Sequence, residues 1–156
     1  MRVSELMSSP AVTAPPSASL RAVAQLMDVH GVGAVVVVDS GPPVGIVTDR
    51  DLVLRGLACG LAPESAACGV MTTPVITLSL DDGTADAYRV YRRSRVRRLP
   101  VVDGRRTVGI LTVDDMLMDV FRRMADLLSG PIADSVLAEY LDPRSARREG
   151  PGGRAG

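Results

Sequence analysis

The chain repeats itself. Slid along its own sequence until Met7 lies on Met71, without a gap, it gives 12 identities over positions 3 to 54, and 8 of these fall between positions 36 and 51. In the same register Pro10 and Thr13 meet Pro74 and Thr77, and Val32 meets Val96. Val37, Val38 and Asp39 meet Val101, Val102 and Asp103, while Val44, Gly45 and Ile46 meet Val108, Gly109 and Ile110. Thr48 and Asp51 then fall on Thr112 and Asp115. A long-period repeat of this kind means one structural unit built twice. A unit of roughly 50 residues is marginal alone, so two should pack face to face around a shared core.

Both copies carry the same pattern of elements. After Pro10 a short extended piece, Val12 to Thr13, leads to a helix whose apolar residues Leu20, Val23, Ala24 and Met27 recur at helical spacing. The equivalent helix of the second copy carries Ala87, Tyr88 and Tyr91. Gly31 and Gly33 end the first helix, and the β-branched run Val35 to Val38 reads as a buried strand. SGPP at 40 to 43 is a turn, Val44 to Val47 a returning strand, and Thr48 the start of a second helix. In the second copy the counterparts are Leu99 to Val102, a DGRR turn, Thr107 to Leu111 and a helix from Thr112. The expected fold class is α+β: tandem β-α-β-β-α repeats packed with pseudo-two-fold symmetry.

The last helix does not stop where its twin does. Met116, Leu117, Val120, Phe121, Met124, Leu127 and Leu128 continue an apolar stripe until Ser129, Gly130 and Pro131 break it. A second short helix is expected from Ile132 to Leu141, carrying Val136, Leu137, Tyr140 and Leu141. This excess apolar surface suits a dimer or packing face. From Asp142 the chain turns to Pro, Arg and Gly and is expected to be disordered. The organisation is therefore repeat 1 over 1–65, repeat 2 over 66–128, a helical extension over 129–141 and a tail over 142–156.

Composition narrows the function classes. At 46% hydrophobic and 23% charged residues there is material for a core, but aromatics are only 3%, with no Trp, so that core is aliphatic and a base-stacking platform is poorly supported. The 18 basic residues, all Arg, balance 18 acidic ones. Absence of Lys and Asn reads as codon bias in a GC-rich genome, although Arg also suits planar phosphate contacts. No apolar run approaches the ~20 residues of a spanning helix, and the opening MRVSELMSSP lacks a secretory stretch, so a cytoplasmic protein is expected. Cys59 and Cys68, nine positions apart with His30 as the sole His, fit no zinc pattern and read as buried or incidental thiols. His30 suits an exposed helix end, where its charge compensates the dipole. No Ser, His and Asp set or metal cluster points to catalysis.

The quoted pieces VSELMSSP, VVVVDSGPPVGIVTDRD, CGVMTTP and RRLPVVDGRRTVGILTVDD, doubled in register, strongly resemble the CBS domain pair, or Bateman module, of the free-standing prokaryotic type. The resemblance covers residues 3 to about 125. It implies a regulatory module and not an enzyme, without a cofactor, binding an adenosine-containing ligand such as AMP, ADP, ATP or S-adenosylmethionine. It also implies a disc-like homodimer that signals to an effector protein; the short apolar runs, separately, lead to an expectation of no membrane association.

Thr48 with Asp51, and Thr112 with Asp115, stand where a strand turns into a helix. One reading is a capping box, the Thr hydroxyl accepting from a first-turn amide while the carboxylate reaches back. The other uses the same atoms on a ligand: the carboxylate takes ribose hydroxyls, and the Thr hydroxyl with free amides faces a phosphate. The family resemblance favours the second. It also implies an adenine slot lined by Val12, Thr13, Val35 and Val36 in repeat 1, and by Ile76, Thr77, Leu99 and Pro100 in repeat 2. Its geometry would set Arg97 and Arg98 opposite the Thr48 site, but Gly33 and Ala34 opposite the Thr112 site. Arg50 of the first site, moreover, is matched by Asp114 in the second. A nucleotide phosphate is therefore expected at Thr48 and Asp51, with the other site empty or holding a less anionic adenosyl ligand.

Two rivals stand beside this reading. One is a ligand-free dimerising scaffold whose T-x-x-D elements are only helix caps. The other is nucleic-acid binding through the six Arg between Arg89 and Arg98. Zero net charge and the lack of a recognised motif speak against it, and Arg89, Arg92 and Arg93 equally suit the exposed face of a helix.

Overall fold

The computed structural model describes residues 1–132 together with Asp134, Ser135 and Ala138. It divides into one unit over Met1–Met116 and another over Leu117–Gly156. The first unit holds two three-stranded sheets. In the first sheet β1 (Thr13–Ala14) runs parallel to β2 (Ala34–Val38), which pairs antiparallel with β3 (Pro43–Thr48). In the second, β4 (Leu78–Ser79), β5 (Arg98–Asp103) and β6 (Arg106–Thr112) repeat that arrangement. The parallel pairs need crossover helices, supplied by α1 (Leu20–His30) and α3 (Thr84–Arg93). After β3 comes α2 (Asp49–Asp51), which continues without a break as a π-helical segment, Leu52–Leu57. After β6 comes α4 (Val113–Leu128). The α+β class and the doubled β-α-β-β-α order are thus realised.

Local chemistry fixes the ends of these elements. Ser19 caps α1 by accepting from the Ala22 amide at 3.1 Å, and Gly31, at a φ of 62°, closes it in the left-handed conformation that glycine tolerates. Leu20, Val23 and Met27 are buried, as the helical spacing predicts, but Ala24 is exposed. In α3 Ala87 is buried and Tyr91 packs on the core, whereas Tyr88 turns outward, 43% exposed. His30 is exposed at its helix end. Cys59 and Cys68 are both exposed free thiols, so of the two expected alternatives burial is excluded: Cys59 lies in the turn after the π-helical segment and Cys68 in a 3-10 turn, Ala67–Gly69.

Two aliphatic cores form, one per sheet, and each borrows from the other half. Val3, at the start of the chain, is fully buried among Leu78, Ala87, Leu99, Val101 and Leu111 of the second sheet. Ala67 and Val70, at the start of the second half, are buried among Leu20, Val23, Val35, Val37 and Val47 of the first. The backbone shows the same exchange. The Val3 amide donates to the Asp82 carbonyl at 2.9 Å and the Ala67 amide to that of Ala18 at 2.7 Å; Ser8 bridges Ile110, and Thr72 bridges Ile46. Every member of these pairs stands one repeat period from its twin, so the hydrogen bonds themselves obey the pseudo-two-fold relation. Repeat 1 and repeat 2 divide the sequence, but each core draws on both.

The exchange explains two of the repeated identities. A side chain at Gly109 would meet Met7 Sδ at 2.5 Å and the Ser8 carbonyl oxygen at 2.9 Å, and one at Gly45 would run into the Met71 thioether. The Met of each leading segment lies on the Gly of the opposite third strand.

In the second unit, Leu117, Met118, Phe121, Met124, Leu127 and Leu128 of α4 are each about half exposed or more. The helix ends at Leu128 before Ser129 and Gly130, as expected. Pro131, Ile132, Asp134, Ser135 and Ala138 are helical; the rest of the expected helix over 132–141, and the tail from Asp142, lie outside the described residues. Among the described residues no helix is long and apolar enough to cross a membrane.

Candidate ligand clefts

Each third strand ends on a Thr that caps the helix following it. The Asp51 amide donates to Thr48 Oγ1 at 3.2 Å, while Asp51 Oδ2 accepts from the Thr48 amide and hydroxyl, both at 2.9 Å. In the second half the Asp115 amide donates to Thr112 Oγ1 at 3.1 Å, and Asp115 Oδ2 accepts from the Thr112 amide at 2.8 Å and its hydroxyl at 2.7 Å. Both are closed capping boxes that engage one carboxylate oxygen of the Asp, and the second oxygen of Asp51 is met by a cation. Arg55 Nη1 stands 3.6 Å from Asp51 Oδ1, itself donating to the Val70 carbonyl at 3.0 Å and to Thr72 Oγ1 at 3.1 Å. A ligand hydroxyl at Asp51 would thus meet Oδ1 beside Arg55, while Oδ2 stays engaged in the cap.

Two clefts open beside these boxes. Cleft A brings Thr48, Asp49, Arg50 and Asp51 together with Arg95, Val96, Arg97 and Arg98, over a floor of Ile46 and Thr72. Cleft B brings Thr112, Asp114 and Asp115 together with Gly33, Ala34, Val36 and Arg98. Its remaining wall is Ser8, Pro10, Val12, Val32 and Ile110. The clefts are twins: Thr48, Arg50, Asp51, Thr72, Val96, Arg97 and Arg98 of cleft A are the repeat counterparts of Thr112, Asp114, Asp115, Ser8, Val32, Gly33 and Ala34 of cleft B.

Their charges differ sharply. Four Arg and two Asp line cleft A, whereas one Arg, Arg98, lines cleft B with Asp114 and Asp115, and Arg97 reaches Asp114 from the neighbouring cleft at 3.5 Å. Within hydrogen-bonding range of a phosphate, guanidinium groups offer short, charge-assisted and often bidentate contacts. Cleft B is instead lined mainly by small aliphatic side chains. Behind it the Tyr91 hydroxyl donates to the Leu111 carbonyl at 2.7 Å, tying α3 to the strand that delivers Thr112. Burial first, then the Asp115 and Asp114 carboxylates, push that phenol well above its ordinary range, so it stays a donor.

The sequence-derived site residues distribute unevenly. Thr48, Arg50, Asp51, Arg97 and Arg98 come together in cleft A, and Thr112 and Asp115 come together with Gly33 and Ala34 in cleft B. Val12 and Val36, however, line cleft B beside Thr112 and Asp115, not the cleft of their own repeat's T-x-x-D. Val35 and Leu99 face the cores, because successive residues of a strand point to opposite sides and only Val36 and Pro100 lie on the other face. Thr13, Ile76, Thr77 and Pro100 line neither cleft. Sequence reasoning misses Ser8, Thr72 and Arg95, although the repeated M-x-x-P segment and the Arg run each carry a signal for them. Of the six Arg between 89 and 98, all but Arg98 are exposed, and Arg89 is paired with Asp86. Among the described residues no cluster of His, Cys, Asp and Glu could hold a metal ion.

Comparison with known proteins matches the CBS domain model twice, over residues 3–57 and 67–122. The chain belongs to the CBS domain family. The CBS domain-containing protein YhcV of Bacillus subtilis is 32% identical over 117 residues, spanning 75% of this chain and 84% of its own. Among solved structures, the CBS domain protein PAE2072 of Pyrobaculum aerophilum, complexed with AMP, is 30% identical with a TM-score of 0.70, covering 81% of this chain and 99% of that one. The CBS domain pair of protein MJ0100, complexed with 5-methylthioadenosine and S-adenosyl-L-methionine, is 28% identical with a TM-score of 0.70, covering 79% of this chain and 98% of that one. A CBS pair thus accounts for both halves of the repeat.

Proposed function

We propose that this CBS pair is a regulatory module, not an enzyme, that binds an adenine nucleotide with its phosphate in cleft A. The observation that carries the reading is the set Arg50, Arg95, Arg97 and Arg98 lining the same cleft as the Thr48 and Asp51 box. Cleft B, aliphatic and net acidic, suits an uncharged or cationic adenosyl ligand. The AMP held by PAE2072 and the two adenosyl ligands held by MJ0100 support the ligand class. The module acts in the cytoplasm by presenting its ligand-dependent state to an effector protein.

A thermal-shift panel of AMP, ADP, ATP, S-adenosylmethionine and NAD tests this directly. A ligand selective for the folded state at 100 times its Kd stabilises by about 2.7 kcal/mol, or several degrees for a domain of this size. The second reading, a ligand-free scaffold, draws on the closed capping boxes, which give Thr48, Asp51, Thr112 and Asp115 a complete structural role. No shift with any of the five compounds would leave the scaffold standing and remove the nucleotide reading.

The module is expected to be a homodimer. Val53, Leu54 and Leu57 on the helix after β3 are exposed, and so are Leu117, Met118 and Phe121, their counterparts in the second repeat. Apolar residues left in water at both equivalent positions call for cover, and a second copy offers the matching surface. Sedimentation should return twice the 16.4 kDa chain mass; a single-chain mass at micromolar concentration would remove this part of the proposal.

A further inference from the structure

We infer that the two clefts are coupled through the charges standing between them, so that an anion bound in cleft A disfavours a second anion in cleft B while sparing a neutral ligand there. The inference rests on the nucleotide reading above. Its first support is Arg98, the opening residue of β5, which lines both clefts. Symmetry does not explain this, since its twin Ala34 lines cleft B alone. The guanidinium reaches across the start of β2: a Cβ built on Gly33 of cleft B would lie 3.1 Å from Arg98 Nη2 and 3.2 Å from Asp49 Oδ2 of cleft A. One cation therefore serves two sites and cannot neutralise a phosphate in each at once.

The second support is an ion pair that spans the two mouths. Arg97 Nη2 of cleft A lies 3.5 Å from Asp114 Oδ1 of cleft B, with the side chains 72% and 74% exposed. Such an exposed pair holds weakly, and a phosphate is the stronger partner for a guanidinium. Phosphate in cleft A draws Arg97 off Asp114 and holds Arg98 on its own side. Both movements have the same sign in cleft B: one removes a cation, the other leaves a carboxylate uncompensated. By linkage, an anion in cleft B weakens cleft A by the same factor.

Calorimetric titration of the full chain with AMP and with adenosine tests the coupling. Asp51→Ala disables cleft A, and Arg50→Glu does so again without touching the capping box, in case the first variant folds poorly. In either background cleft B should bind AMP about fivefold or more tightly than it does in the unaltered chain with cleft A filled. Adenosine, lacking the phosphate, should bind cleft B equally in all of them, and Arg98→Met should narrow the AMP difference. Equal AMP affinity of cleft B in the unaltered and disabled chains overturns the coupling while leaving the nucleotide reading intact. A matching loss for adenosine, or no AMP in cleft B of the disabled chains, overturns it as well. Absence of any AMP binding to the unaltered chain is a different failure, which removes the nucleotide reading and the coupling together.

Discussion

Asp51→Ala weakens AMP binding by about ten- to a hundredfold, and Asp115→Ala leaves the tighter binding event within about twofold of the unaltered chain; these are the expected results of titrating each variant. The magnitude follows from removing a charged acceptor, worth about 1.5–3 kcal/mol per hydrogen bond made to it, where about 1.4 kcal/mol is a factor of ten. The asymmetry follows from charge, because the two Asp make the same capping hydrogen bonds. What differs is their surroundings, four Arg in cleft A against one in cleft B. Each substitution also removes a cap, at about 1 kcal/mol of stability. Both variants should therefore melt a few degrees lower and by similar amounts, and the binding difference remains after that shared cost. Should Asp115→Ala lose more AMP affinity than Asp51→Ala, the phosphate has been assigned to the wrong cleft.

A second large effect is expected far from any ligand. Gly109→Ala should destabilise the fold by about 1–3 kcal/mol, the usual cost of overpacking, at about 2–4 °C in Tm per kcal/mol. The new methyl would stand 2.9 Å from the Ser8 carbonyl oxygen, a backbone atom fixed by the bridge between Ser8 and Ile110. Gly45→Ala should cost less, since all three of its nearest obstacles belong to the flexible Met71 side chain. Gly69→Ala, with nothing within 4 Å, serves as the control. Thermal melts ranking the three in any other order would show that the leading segments do not clamp the third strands as described. Ser8 and Ile110 both line cleft B, so loss of the clamp should also loosen that site.

Much of this is legible in the sequence, and the remainder is hidden for identifiable reasons. The ungapped repeat and the alternation of helical and β-branched segments are enough for the doubled β-α-β-β-α order, because the pattern within each copy depends on near neighbours in the chain. The T-x-x-D boxes are legible for the same reason, since each joins a Thr to the Asp one helical turn further on. What cannot be read is where Val12 and Val36 belong. Placing them beside Thr112 requires knowing that the leading segments cross between halves, as when Ser8 meets Ile110. Likewise the pair Val35 and Val36 looks uniform in sequence, but strand alternation sends one to the core and the other to the cleft. Tyr88 is obscured on a shorter scale: neighbouring positions on a helix point about 100° apart, and Ala87 takes the inward direction.

The crossing of the leading segments makes the two copies interdependent. Once Val3 fills one core and Ala67 with Val70 the other, neither copy of the duplicated unit is a complete object. A deletion or recombination between them would strip a wall from both cores at once. Each core therefore stands only while both copies are present, whereas the exposed cleft residues Arg50, Arg97 and Asp114 belong to neither core.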